Sequence, residues 1–205
     1  MRSAEFRSLM STTKDSDLLD VCLRNQDVPF VIGSKAAWDD FRGALVFALP
    51  LSQDDIRIVG SARLGFSLKP RNNLRRFRET SDIDVVVVNE PLFDWLWIAL
   101  LTAAYPRHAV FRGAGRWDQP GRSELFAGWL TPLLVHMDRK ILGAKAAPIF
   151  EFKTKWFNAL KEAARHPAKR HRDINGRLYR TWQHAELYHL HSLSELRTSL
   201  FGAIS

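Results

Sequence analysis

The chain has 205 residues, of which 46% are hydrophobic, and its 30 Lys and Arg outnumber its 22 Asp and Glu, giving a formal net charge of +8. This length and apolar content exclude an intrinsically disordered protein and predict a single domain over residues 1–205. The single cysteine, Cys22, excludes an intramolecular disulfide, and the longest apolar run, residues 92–105, is too short to span a bilayer. Since no apolar signal segment follows the N-terminus, the sequence predicts a cytoplasmic protein that does not bind a membrane. The positive net charge predicts an anionic partner.

The first fifty residues predict helices separated by a short extended segment. Residues 15–23 have the apolar rhythm of one helix, and residues 27–34 are typical of extended chain. Ser34 is a favoured helix N-cap, and Pro50 ends the helix that follows it. The side chains expected on the buried face of that helix are Trp38, Phe41, Leu45 and Leu49.

The segment from residue 56 to residue 88 predicts two strands with a loop between them. Residues 56–59 form an apolar strand that runs into Gly60-Ser61, a short helix at 64–68 and a basic loop at 69–78. Residues 83–88 include four consecutive valines, which predicts a central strand buried on both faces.

Two aspartates mark the beginning of that second strand. Asp82 and Asp84 are two residues apart, so their side chains lie on the same side of an extended chain. Two carboxylates that close repel each other unless a cation neutralises them, and Mg²⁺ usually arrives with substrate phosphates. Gly60 allows close approach of a phosphate to the backbone, and Ser61 offers a hydroxyl and an N–H. Together these residues predict a site for a nucleoside triphosphate with Mg²⁺ or Mn²⁺, in which Asp82 and Asp84 hold the metal.

The second half of the chain predicts helices around one further strand. A mostly buried helix begins at Leu92, residues 106–148 read as an insertion or loop region, and residues 149–165 form an amphipathic helix. A strand is expected at 177–182 and a last helix at 183–197. The predicted core therefore spans about 30–105 plus 149–197, with helical additions at the N- and C-termini.

The positive charge is concentrated in two clusters. The first is the loop 69–78, with Lys69 and Arg76 as the residues best placed to neutralise a triphosphate, together with Arg63 before it. The second is residues 165–172, followed by Arg177 and Arg180. Such cations bind a triphosphate tail, RNA or another polyanion, although basic loops are also often ordinary solvated surface.

The order of these motifs resembles the nucleotidyltransferase superfamily of the DNA polymerase β type. The resemblance covers about 35 residues, from the strand that ends in Gly60-Ser61 to the Asp82-x-Asp84 pair on a Val-rich strand. It implies an α/β (α+β) fold with a mixed, partly antiparallel sheet flanked by helices. It also implies transfer of a nucleotidyl group from an NTP, with Asp82 and Asp84 as catalytic residues, and a bacterial defence or toxin–antitoxin setting.

One departure from that superfamily leaves two functions open. The superfamily uses a third carboxylate on a later strand beside the Asp-x-Asp pair, and the strand expected at 177–182 offers Arg177 and Arg180 instead. Glu151 and Glu186 are the nearest acidic candidates. An inward Arg180 is expected to pair with Asp82 or Asp84. The alternative function is a catalytically degenerate module of the same fold that binds nucleic acid or a protein partner.

Overall fold

The structure, a computed structural model, describes residues 1–104, 120–135, 143–165 and 173–202. Residues 106–119 and 136–142 of the predicted insertion at 106–148, and most of the second basic cluster, lie outside the described residues. No helix within the described ranges is long and apolar enough to cross a membrane.

Helices make up most of the described chain. The strands are β1 (Ile56–Val59), β2 (Ile83–Val88), β3 (Trp129–Leu130) and β4 (Ile174–Tyr179). The α-helices are α1 (Ser3–Thr12), α2 (Asp15–Leu19), α3 (Lys35–Ala48), α4 (Gly60–Leu64), α5 (Glu90–Ala104), α6 (Pro120–Phe126), α7 (Ala147–Ala163) and α8 (Trp182–Phe201). A π-helical turn, Asp20–Arg24, continues α2, and Ser34 caps α3 as predicted by accepting a hydrogen bond from the Ala37 N–H.

The described strands form a four-stranded mixed sheet in the order β1-β2-β4-β3. Strand β2 is antiparallel to β1 and parallel to β4, and β3 is antiparallel to β4. The central position predicted for residues 83–88 is therefore confirmed, as is a mixed, partly antiparallel sheet. The four valines of β2 are buried because both faces of this strand are covered.

One face of the sheet packs against helices α3, α5 and α7. Alternate side chains of β1, β2 and β4 point towards these helices, and they are Ile56, Ile58, Ile83, Val85, Val87 and Leu178. The predicted α3 face is also buried there, with Trp38, Phe41 and Leu45 in the same cluster. At Gly176 an added Cβ would lie 2.6 Å from the ring of Trp156, so this glycine lets α7 approach β4 closely.

The other face packs against α8. Val59, Val86, Val88 and Tyr179 lie there with Ala185 of the helix. Beyond the sheet, α8 packs against α1 and α2 through a separate cluster that includes Phe6, Met10, Leu18, Leu193 and Leu196. The predicted helical additions at the two ends of the chain are thus helices that pack against each other.

Two predicted elements were displaced along the chain. The later strand spans Ile174–Tyr179 rather than 177–182, and α8 begins at Trp182, directly after it. The short helix is α4 at Gly60–Leu64 rather than at 64–68, because Gly65 adopts a left-handed conformation with φ of 83° and ends it.

Candidate functional site

Asp82 and Asp84 lie where three strands meet at one end of the sheet. Asp84 pairs in register with Val59 on β1 and with Asn175 on β4. Asp82 directly precedes β2, and its Oδ2 accepts a hydrogen bond of 2.9 Å from Nδ2 of Asn175. The residues that follow β1 and those that begin β2 and β4 are therefore brought together, although Asp82 and Asn175 are 93 positions apart in the chain.

The surroundings of Asp84 disfavour the ionised form of its carboxyl. Burial raises the pKa of this carboxyl, and the nearby charge of Asp82 raises it further. The positive charges of Lys69 and Arg177 act in the opposite direction on the same pKa. Among the described residues, none donates a hydrogen bond to the Asp84 carboxylate. A divalent cation between the two aspartates would relieve both their mutual repulsion and the cost of this burial.

Gly60 lies against the same carboxylate. It follows β1 directly with φ of 63°, and an added Cβ would be 3.7 Å from Oδ2 of Asp84. Ser61 follows it, partly exposed, and its carbonyl accepts a hydrogen bond from the Gly65 N–H at 2.9 Å. The Gly60-Ser61 turn and the aspartate pair, which the sequence placed in one site, are adjacent in the structure.

The three predicted cations have different positions. Lys69 is exposed and close enough to Asp84 for its charge to act on the pKa of that carboxyl. Arg76 is exposed and forms an isolated β-bridge with Phe66. Arg63 is buried, with its guanidinium donating to the carbonyls of Val21 at 2.6 Å and Asn25 at 2.8 Å. Arg63 therefore fastens the turn after α2 to α4.

The prediction that Arg180 pairs with Asp82 or Asp84 is wrong. Its guanidinium contacts Asp94 at 2.9 Å and Glu90 at 3.0 Å, both on α5. The reason is the true extent of β4, which ends at Tyr179 and leaves Arg180 beyond the strand, at the end of the sheet opposite the aspartates. The acidic candidates are also engaged elsewhere, since Glu151 pairs with Lys155 at 2.8 Å and Glu186 with Arg24 at 2.7 Å.

The sequence analysis placed Arg177 on the later strand but assigned neither Arg177 nor Asn175 to this site. Ile174, Gly176 and Leu178 alternate with Asn175, Arg177 and Tyr179, a period of two that places the polar set on the face of Asp84. That alternation was the signal that could have found them.

Arg177 lies beneath α8 on that same face. Its guanidinium is 5.0 Å from the centre of the Trp129 ring and 4.8 Å from that of Tyr188. Stacking between two aromatic rings stabilises a cation that has been removed from water.

The donor set is compatible with Mg²⁺ or Mn²⁺ but is small. Carboxylate and amide oxygens suit these ions, and Mg²⁺ commonly binds through one or two carboxylates plus substrate phosphates. Within the described ranges, no group of three or more His, Cys, Asp or Glu side chains is arranged to hold a metal ion. Asp82 and Asp84 would therefore hold the ion with Asn175 beside them.

Comparisons of the chain with protein-family models, curated proteins and solved structures found no significant match. The residues of the site are therefore the basis on which a function is assigned.

Proposed function

We propose that the chain is a nucleotidyltransferase of the DNA polymerase β type, which binds an NTP with Mg²⁺ or Mn²⁺ and transfers a nucleotidyl group to an acceptor. The observation that carries this proposal is the position of Gly60, whose missing side chain leaves space 3.7 Å from the Asp84 carboxylate. A phosphate at the Gly60-Ser61 turn and a metal ion on Asp84 would therefore be neighbours. The mixed sheet and the order of its strands are compatible with this assignment.

Each residue has a defined role in the proposal. Gly60 and Ser61 bind the β- and γ-phosphates through backbone N–H groups and the Ser61 hydroxyl. Lys69 and Arg76 supply positive charge to the triphosphate, whereas Arg63 has a structural role. Asp82 and Asp84 are the metal-binding and catalytic carboxylates, and Asn175 orients Asp82. A bound Mg²⁺ would neutralise phosphate charge and lower the pKa of the attacking hydroxyl.

A second candidate is a catalytically degenerate module that binds nucleic acid or a protein partner. One observation favours it: the strand beside Asp84 presents Asn175 and Arg177 on the shared face where the superfamily is expected to have an acid. The bacterial defence or toxin–antitoxin setting, like the cytoplasmic location, derives from the sequence alone and is part of this proposal.

Calorimetric titration of an NTP in the presence of Mg²⁺ or Mn²⁺, combined with a pyrophosphate-release assay, tests both candidates. We expect Asp82→Asn and Asp84→Asn each to abolish metal-dependent NTP binding. The matched control is Asp40→Asn, which removes one carboxylate from an exposed position on α3. Unchanged affinity in both site variants would refute the site. Binding without pyrophosphate release, across a panel of acceptors, would favour the degenerate module.

Substitutions at two glycines distinguish an effect of backbone strain from an effect on phosphate binding. Gly60 and Gly33 both have positive φ, 63° and 79°, but an added Cβ at Gly33 meets no atom within 4 Å. Substitution by Ala at either position costs roughly 1–2 kcal/mol of stability. We expect only Gly60→Ala to lower the NTP affinity as well. Equal affinities in the two variants would exclude a phosphate at this turn.

A further inference from the structure

The basic loop between the Gly60-Ser61 turn and Asp82 is an ordered hairpin. Residues 65–77, here called the basic hairpin, are closed by hydrogen bonds of 2.8 Å from Ser67 N to Arg75 O and from Phe77 N to Gly65 O. Leu74 is buried in the cluster shared by α1, α2 and α8, and Asn73 accepts a hydrogen bond from Arg7 of α1 at 2.7 Å. Because main-chain bonds and a buried leucine hold this hairpin, its charged side chains are displayed on a fixed support.

Those charged side chains face solvent. Lys69, Arg71, Arg75 and Arg76 are all exposed, and Glu79 is the single acidic residue between positions 69 and 80. Exposed cations that are this close in the chain suit the phosphates of a polyanion, whose binding releases counterions.

An exposed aromatic ring lies beside the hairpin. Phe30 is 62% exposed, and its ring packs on Gly65, where an added Cβ would lie only 3.0 Å from it. It also forms an edge-to-face pair with Phe77 at 6.2 Å, next to Arg76 in the chain. Two main-chain hydrogen bonds, from Phe30 N to Arg63 O and from Val31 N to Ala62 O, tie this segment to α4. The structure thus holds a largely exposed ring in place instead of burying it.

We propose that the basic hairpin and Phe30 together bind a single-stranded polynucleotide, and that this is the acceptor class of the transferase proposed above. Cations that follow a backbone and an aromatic ring that stacks on a base are the two components of single-strand binding. A duplex conceals its base faces, so the exposed ring favours a single strand. The surface also adjoins the site, since α4 carries both Gly60 and the anchor of Phe30, and Lys69 acts on Asp84.

The surface is tested without NTP or metal, so that its outcome is independent of the proposed chemistry. Fluorescence anisotropy of labelled single strands of about 12 nucleotides, as RNA and as DNA, is measured over a range of salt. We expect Phe30→Ala to weaken binding about tenfold and Phe30→Trp to retain it, because stacking on one base is lost only in the former. The matched control is Phe47→Ala, which removes a phenylalanine that is 95% exposed on α3.

The cations have a separate readout in the salt dependence. The double substitution Arg75→Ala with Arg76→Ala is expected to reduce the slope of log affinity against log salt by about 1.4, at about 0.7 for each phosphate contact. The double substitution Lys155→Ala with Lys161→Ala, which removes two exposed cations from α7, should leave the slope unchanged. Thermal melts establish that each variant is folded.

Three outcomes would overturn the proposal. The first is that single strands do not bind. The second is that a duplex or polyglutamate binds as tightly as single strands do. The third is that Phe30→Ala leaves the affinity for single strands unchanged. A difference between RNA and DNA would support the proposal and identify the sugar that is recognised. If strands bind while NTP does not, the surface stands and the proposed transferase is refuted.

Discussion

The two faces of the central sheet differ in the kind of side chain that they bury. The face covered by α3, α5 and α7 packs through a large apolar cluster, at which the buried Arg42 of α3 stacks on Trp38. The face covered by α8 mixes valines with the ionisable side chains of Arg57, Asp84, Arg177 and, from the helix, His189. Burying ionisable groups costs free energy. The first face therefore stabilises the fold. Burying ionisable groups on the second face lowers the stability of the fold and places charges near the candidate site.

The arginines of the second face show how that cost is reduced. Arg57 is buried, stacks on Trp182 at 4.8 Å and donates to the carbonyls of Asp54 and Ile56, whereas its Nε has no partner among the described residues. Burial lowers its pKa accordingly. Aromatic rings thus stabilise Arg57 in the way that Trp129 and Tyr188 stabilise Arg177.

The largest expected effect is on the apolar face. Trp156 is 1% exposed and packs against Gly176 and Phe152. We expect Trp156→Ala to lower the free energy of unfolding by about 3–5 kcal/mol, because it leaves a large cavity. Trp97→Ala is the control, since this tryptophan on α5 is 39% exposed and should cost under about 1 kcal/mol. Urea unfolding followed by circular dichroism measures both, and equal costs would contradict the contrast between buried and exposed positions.

The next effect is a pH dependence on the charged face. Burial, and to a lesser extent the charge of Arg177, lower the pKa of His189 from 6.5 to about 4. Between these values the unfolded chain takes up a proton that the folded chain does not, so stability falls as the pH decreases from 6.5 towards 4. By pH 4 the loss is on the order of 3 kcal/mol. Well above pH 6.5, where the unfolded histidine is also neutral, this residue contributes no pH dependence.

His189→Gln should therefore flatten the profile of stability against pH between 7 and 4.5 relative to the unmodified chain. His191→Gln is the control because it removes an exposed histidine from the same helix, 3.5 Å from Glu195. Carboxylates titrate in this range in every variant, so the difference between the two profiles isolates His189. Parallel profiles for the two variants would show that His189 is solvated.

The two faces also differed in how far the sequence predicted them. Four successive valines identified β2 as central, and the period of Trp38, Phe41 and Leu45 identified the buried face of α3, because both are local patterns. The Gly60-Ser61 turn and the aspartate pair were predicted together because each directly borders an apolar strand. These features depend on residues that are close in the chain.

The errors on the charged face have a different origin. The later strand was placed three residues too late, because Thr181 and Trp182 are typical of strands although they begin α8. With the strand placed at 177–182, Arg180 was expected beside the aspartates and Asn175 lay before the strand. The contact of Asn175 with Asp82 depends on pairing between distant segments. Arg63 was assigned to the site because it follows Ser61 closely, but the turn of α4 directs it towards Val21 and Asn25. Sequence proximity does not determine side-chain direction in a helix.

The smallest expected effect is a gain in stability from loss of a site residue. Asp84 is destabilised in its charged form by burial and by Asp82, so its folded pKa is raised, and at neutral pH its ionised state opposes folding. Asp84→Asn removes this charge and should raise Tm by up to about 3 °C, while abolishing NTP binding. Asp40→Asn should change neither property, because that carboxylate is exposed. At pH values below the folded pKa the advantage of Asp84→Asn should disappear, since the aspartate is then neutral. A lower Tm in Asp84→Asn at pH 7 would mean that the ionised carboxylate stabilises the fold, and the contrast between the two faces would fail.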